Sequence, residues 1–200
     1  MEFIQLRNTL VDVFRRNPEV KVDALRKLCM AKSLTAVMEL IKEHWACLNS
    51  RSWEEFQYCL ATYYKEYEKD FVAHGIFYNT PCTSGLVCVD DNAETDCIVV
   101  RGTAECAAHG KINILLGDSA SATVMDHVRC TAHDNAAVVA RHFSRVMAYD
   151  KSLVKAFDMA KVESDGETSL CLYGTSVANI YKAGTLSVGT RAKVIHENRQ

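Results

Sequence analysis

The clearest pattern in the sequence is an eight-residue repeat that runs without a gap from Glu94 to Glu197 and fills thirteen blocks. The fifth position is apolar in every block, and the seventh is apolar except at Ser164 and His196. The third position is small or apolar except at Asp96. Apolar residues two apart place their side chains on one face of a β-strand. We therefore predict one short strand per block, with three inward-facing residues.

The first position of each block predicts a sharp turn. It is glycine or aspartate in nine of the thirteen blocks, and both residues tolerate left-handed backbone. Strands and turns that alternate at a fixed short period indicate a stacked β-solenoid. A meander of hairpins is the alternative, but hairpins do not require identical spacing through thirteen blocks.

The number of strands in each coil follows from which positions stack on one another. A 24-residue coil places Cys106 beside Cys130 at the fifth position, and it groups four aromatic or imidazole side chains at the eighth: His109, His133, Phe157 and Tyr181. We therefore expect a parallel β-helix of eight-residue strands with about three strands per coil. A 16-residue coil of two strands is the alternative.

The remainder of the chain predicts an α+β protein with three segments. Residues 1–75 carry apolar stripes typical of four helices, with Ser33 and Ser52 as N-caps and His74-Gly75 as the final stop. Residues 76–93 form a transition segment with two short strands, 76–78 and 86–89. Residues 94–200 form the solenoid. The helical domain is available to cover the apolar edge of the first coil.

Composition narrows the classes of function. The net charge is −2 and is nearly balanced along the chain, so nucleic acid is a poor candidate partner. No apolar run is long enough to span a membrane, and the start of the chain does not have the pattern of a signal peptide. Nine cysteines without a Cys-x-x-Cys pair predict free thiols in the cytoplasm, with no metal and no cofactor.

Three sets of residues suggest ligand chemistry, and each has a simpler interpretation. The repeated aspartates suggest calcium, but calcium-binding β-rolls use nine-residue repeats with paired glycines, so we expect these aspartates to close their own turns. His109 and His133 could share a metal, although an aromatic edge stack is the simpler expectation. The second positions lack the regular threonine rows that ice-binding surfaces need.

An enzyme is the alternative to a binding protein. Polysaccharide-acting β-helices carry clustered acidic and basic residues in a groove, and Arg141, Arg145, Lys161 and Asp165 could be neighbours here. They could equally form a solvated face. Two or more convergent carboxylates beside an arginine or lysine would favour the enzyme. A flat, uncharged or aromatic face would favour binding.

The Asp-Asn-Ala-x-Val-x-Ala pattern, clearest at 134–140, resembles the octapeptide-repeat β-solenoids of bacterial proteins of uncharacterised function. In block length it is also similar to half of the repeat of ice-nucleation proteins. The resemblance covers residues 94–197 and implies an architecture without a catalytic motif. The pattern departs from the repeat at Glu163-Ser-Asp165 and Lys182-Ala-Gly184.

These observations predict a non-enzymatic interaction or assembly protein, with a helical adaptor or cap and a rigid solenoid surface. Two regions are candidate contact surfaces: the tyrosines Tyr58 and Tyr64, and the last coil with Arg191, Lys193 and His196. An uncovered strand edge in the last coil would invite another strand, which predicts an end-to-end homodimer. The charged residues of that coil could instead blunt the edge in water.

Overall fold

The structure is a computed structural model that describes residues 3–197, without the side chains of residues 50 and 51. The chain divides into two compact units, with the boundary between Tyr78 and Asn79. The first unit contains six helices and one short strand: α1 Phe3–Arg16, α2 Val22–Met30, α3 Leu34–Glu43, α4 Trp45–Arg51, α5 Trp53–Tyr63, α6 Glu68–Ala73 and β1 Ile76–Tyr78.

The helical unit follows the predicted apolar stripes, but two of the four predicted helices are each divided in two. The third breaks at His44, between α3 and α4, and the fourth breaks between Tyr63 and Glu68. Ser33 caps α3 as predicted, because its side chain accepts a hydrogen bond from Ala36 N at 3.2 Å. Ser52 occupies the N-cap of α5 but makes no side-chain capping bond there. The core of the unit contains Leu6, Phe14, Met38, Phe56 and Phe71.

The second unit is a parallel β-solenoid. The strand β2 precedes the repeat, and each of the thirteen blocks then contributes one strand, as the pattern predicts. The bounds are β2 Leu86–Val89, β3 Cys97–Val100, β4 Glu105–Ala108, β5 Asn113–Leu116, β6 Ser121–Val124, β7 Arg129–Ala132, β8 Ala137–Ala140, β9 Arg145–Asp150, β10 Leu153–Ala156, β11 Lys161–Gly166, β12 Ser169–Leu172, β13 Val177–Lys182, β14 Thr185–Val188 and β15 Lys193–His196.

The prediction of three strands per coil is wrong, because each coil contains two. Even-numbered strands from β2 to β14 lie side by side in one sheet, sheet A, and odd-numbered strands from β3 to β15 lie in a second, sheet B. Within the repeat, strands pair in parallel with partners sixteen residues away: Val154 lies beside Val138 on one side and Leu170 on the other. The solenoid therefore has about seven turns.

The two sheets enclose a narrow apolar core. The fifth and seventh positions point inward and are buried in most coils, as at Val138, Val146 and Val154. Cys106 lies on β4 in sheet A and Cys130 on β7 in sheet B, so they do not stack as expected from the 24-residue coil. The third position faces into the tight turn, which accounts for the buried Ala104, Ala120, Ala136, Ser152 and Ser176.

Hydrogen bonds from one coil to the next form an aspartate ladder along each turn. Asp118, Asp134 and Asp150 have φ values between 54° and 58°, in the left-handed region that the turn requires. A carboxylate oxygen of each one accepts from a backbone N–H sixteen residues earlier: Asp134 Oδ2 from Asp118 N at 2.9 Å, and Asp150 Oδ2 from Asp134 N at 3.1 Å. The aspartates thus join neighbouring coils, and the prediction that they close their own turns is wrong for these bonds.

The ladder is interrupted where the sequence pattern departs from the repeat. Ser164 replaces the usual apolar residue of β11 and is fully buried. Its hydroxyl contacts the Thr168 hydroxyl and donates to the Lys182 carbonyl at 2.7 Å. The register between β11 and β13 shifts between Ser164 and Asp165. The buried serine therefore has hydrogen-bond partners and coincides with a local bulge.

All nine cysteines are free thiols, in agreement with the sequence prediction. Seven of them are buried or half-buried, and burial raises the pKa of the Cys59 and Cys130 thiols to about 12. Among residues 3–197, no helix is long and apolar enough to cross a membrane.

The aspartate ladder predicts a graded response to substitution at Asp134. Asp134→Asn keeps an acceptor and tolerates the left-handed turn, so stability should change little. Asp134→Gly loses only the acceptor, whereas Asp134→Ala loses the acceptor and also strains the backbone, at a cost of about 1–2 kcal/mol. Urea unfolding of the three variants measures the order. Equal losses for the asparagine and alanine variants would contradict the role of the ladder.

Candidate interaction surfaces

The last coil exposes apolar side chains at positions whose equivalents in the preceding coils are buried. Leu186 and Val188 on β14 are 41% and 45% exposed, whereas their register partners Leu170 and Leu172 are 1% and 0% exposed. Within residues 3–197, no strand pairs with the outer edge of β14 or β15. This coil therefore presents inward-type apolar side chains together with two rows of backbone donors and acceptors.

The second strand of this coil carries the charged residues expected from the sequence. Val194 stacks on Ala178, and His196 stacks on Ile180, which places both at inward positions. His196 is exposed and Val194 is half-buried. Arg191 and Lys193 are exposed on the rim. Arg199, another basic residue near this end, lies outside the described residues.

The two tyrosines of the predicted helical surface differ in exposure. Tyr58 is 69% exposed and borders a groove of about 360 Å³ lined by residues of α1 and α5, including Thr9, Arg16 and Glu55. Tyr64 is 8% exposed and packs its ring near Phe71 and Tyr78. Tyr64 belongs to the core of its unit, so only Tyr58 is available to a partner. Tyr64 keeps helical backbone at the end of α5, and its N–H donates to the Leu60 carbonyl, so its burial comes from the residues packed against it.

Aromatic and imidazole rings stack along the turns, but in different columns from those expected. The ring centroids of His133 and Tyr149 are 4.9 Å apart, and those of Phe157 and Tyr173 are 4.8 Å apart. His109 precedes a turn that follows sheet A, whereas His133 follows sheet B. The proposed stack of these two histidines is therefore wrong. Within the described residues, no group of three or more His, Cys, Asp or Glu side chains is arranged to hold a metal ion.

His109 is instead a core residue whose pKa is lowered. Its side chain is fully buried, and removal from water lowers its pKa to about 4, against the opposing effect of Asp126 and Asp90. The Asp126 carboxylate lies 3.0 Å from His142 Nδ1 in the next coil. The folded protein therefore holds His109 neutral at physiological pH.

The residues of the enzyme alternative are spread over the solenoid. Arg145 and Lys161 are neighbours in sheet B, but Arg141 lies in the turn before β9, where its guanidinium is 5.0 Å from the Phe157 ring. Asp165 is at the far end of β11, where it lines a cavity of about 290 Å³ with Tyr149, Glu163 and Tyr181. Two carboxylates meet in this cavity, and Lys182 is the register partner of Asp165 on the neighbouring strand β13.

The outer faces of the two sheets differ in chemistry, which the sequence interpretation missed. Sheet A presents mainly small side chains, and a shallow depression of about 190 Å³ is lined by Ser121, Thr123, Ala137, Val139 and Leu153, with Glu105 and Lys155 at its limits. Sheet B presents a row of cations: Arg129, Arg145 and Lys161. The sixteen-residue spacing of these cations is the signal that could have revealed the row.

The titration of His109 predicts a pH dependence of stability. Its folded pKa of about 4 lies below its unfolded value of about 6.5, so protonation favours the unfolded chain. The stabilising contribution is complete above pH 6.5 and is lost as the pH falls towards 4, by about 3 kcal/mol. Urea unfolding across this range should show a smaller loss of stability for His109→Met than for the wild type. Methionine already occupies the equivalent position of the next coil, at Met125. Parallel profiles for the two proteins would contradict this assignment.

No protein-family model, curated protein or solved structure matches the chain. The last coil combines exposed apolar side chains with open strand edges, and it is the candidate site that the geometry supports best.

Proposed function

We propose that the chain is a non-enzymatic assembly protein whose solenoid associates through its last coil, with the helical unit as an adaptor. The observation that carries this proposal is the exposure of Leu186 and Val188 at positions that are buried one coil below. Burial of such side chains is favourable, by about 25 cal/mol for each Å² of apolar surface removed from water. A partner that covers this coil gains that contribution.

The backbone of the last coil favours a second copy as the partner. Unpaired strand edges recruit other strands, and solenoids need covered ends. A two-fold axis normal to the two sheets brings the last coils of two copies together and makes each edge strand antiparallel to a strand of the other copy. The interface then satisfies the backbone groups of β14 and β15 and buries Leu186, Val188 and Val194. Arg191, Lys193 and His196 lie at its margin.

The polysaccharide-acting alternative receives less support from the described residues. Of its four candidate residues, only Arg145 and Lys161 are register partners, and neither lines the cavity that Asp165 shares with Glu163. The outer face of sheet A, with mainly small side chains and a shallow depression, is compatible with a binding protein. In keeping with the octapeptide pattern, we place this assembly protein among bacterial octapeptide-repeat solenoids of the cytoplasm.

The proposal predicts that the chain is dimeric at tens of micromolar in multi-angle light scattering. Val194→Lys should shift the protein to the monomer, because the substitution places a lysine charge in the interface. In the monomer, β15 of this variant is exposed to water. The matched control is Val22→Lys in α2, where the wild-type side chain is already 82% exposed. That control should remain dimeric.

Two outcomes would contradict the proposal. A monomeric wild type at these concentrations means that the charged margin of the last coil is a sufficient cap. A Val194→Lys variant that stays dimeric means that the copies meet through the helices or a sheet face.

A further inference from the structure

Three cations lie directly beside one another on the outer face of sheet B. Arg129 is the register partner of Arg145, and Arg145 is the register partner of Lys161, so the three side chains occupy adjacent coils. All three are exposed. Parallel neighbours in a sheet are about 4.8 Å apart, so this cation row extends for about 10 Å along the solenoid axis.

The cation row is unfavourable in the isolated protein. Like charges at directly opposite positions of a sheet repel each other. Within the described residues, none of the three forms an ion pair. Glu163, on the same face, stacks beside Met147 and Asn179 in the neighbouring row, and Arg129 shares a cavity with Asp91 and Asp96 without an ion pair. The row therefore offers charge that an acidic partner could neutralise.

Exposed apolar side chains flank the cation row. Phe143 and Met159, which are 50% and 49% exposed, precede two of the cations in the chain. Met147, which is 42% exposed, lies two residues beyond Arg145 on the same face. Methionine, aromatic residues and arginine are enriched in protein interfaces, and methionine adapts its shape to a partner. The chemistry of the surface therefore matches a partner that carries both acidic and apolar groups.

The arrangement of the rings argues against a single-stranded nucleic acid. Such ligands stack their bases on the open faces of aromatic side chains. Here the rings of His127 and Phe143 stack on each other, with centroids 5.4 Å apart and planes inclined by 18°. Their faces are turned to the neighbouring coils, and their edges are directed outward. A polysaccharide or a polyphosphate would likewise leave the apolar flanks without apolar contacts.

We propose that sheet B binds an acidic amphipathic α-helix that lies along the solenoid axis across the cation row. A helix repeats one face about every 5.4 Å, which differs from the coil spacing of about 4.8 Å by an amount that long side chains accommodate over three coils. An extended strand repeats one face about every 6.6 Å and falls out of step sooner. One glutamate per turn then meets one cation per coil, and apolar residues beside the glutamates contact Phe143, Met147 and Met159.

A labelled synthetic peptide tests this proposal by fluorescence anisotropy with the full chain. The probe has about five helical turns, on the order of 18 residues, with glutamates along one face and leucines beside them. A scrambled peptide of the same composition is the control for net charge. The ordered peptide should bind at least about tenfold more tightly than the scrambled one, and its affinity should fall at about 0.5 M salt because charges are screened.

Charge-reversal variants locate the site. Arg129→Glu, Arg145→Glu and Lys161→Glu combined should weaken binding at least about tenfold. The matched control is Lys151→Glu, Lys155→Glu and Lys182→Glu combined, which changes the net charge equally but lies outside the cation row. It should bind as the wild type does. Circular dichroism checks that both variants are folded, and Arg145→Gln alone provides a milder second variant.

Several results would overturn the proposal. They are equal binding of the ordered and scrambled peptides, equal loss in the two triple variants, and no loss in Arg145→Gln at low salt. A single-stranded oligonucleotide or a polyuronate that binds more tightly than the peptide, and loses binding when the cation row is reversed, would show that the surface takes another polyanion.

Discussion

Hydrogen bonding between successive coils is the constraint on which the rest of the solenoid depends. Each inner strand of the repeat satisfies its backbone groups with strands sixteen residues before and after it, so successive coils must have the same length and the same turns. This requirement explains why the eight-residue pattern persists through thirteen blocks. It also explains the left-handed residues at the start of nine of the thirteen blocks, since a turn with another geometry would break the register of both neighbours.

The same constraint turns the sequence into columns on the surface. Residues sixteen apart become neighbours, so carboxylates meet backbone N–H groups, rings stack on rings, and the three cations of sheet B stand side by side. A column contributes to stability when its members attract, as in the aspartate ladder. The side chains of the cation row are exposed and repel one another, which is why we propose that the row binds an acidic partner. The last coil differs from these columns because its inward residues have no coil above them among the described residues.

The sequence predicted each strand of the repeat because inward and outward positions alternate with a period of two. It did not predict the coil, because alanine, valine, isoleucine and cysteine are interchangeable at inward positions, and grouping them by similarity gave a spurious period of 24. The outward aspartates at Asp118, Asp134 and Asp150 carried the correct period. The helix breaks at His44 and after Tyr63 were missed because apolar stripes continue through them. The candidate residues of the last coil could be found from the pattern, whereas Tyr64 required its packing partners.

The two-strand coil can be tested by engineered disulfide bonds on the outer face of sheet B. Thr131 and Met147 are register partners, at a spacing that a disulfide spans. Lys155, which is 24 residues from Thr131, lies in sheet A. Oxidation of a Thr131→Cys, Met147→Cys variant, followed by mass spectrometry of its tryptic peptides against the wild-type background, should show a 131–147 crosslink, and a Thr131→Cys, Lys155→Cys variant should show none. A crosslink between 131 and 155, without one between 131 and 147, would contradict the sixteen-residue coil.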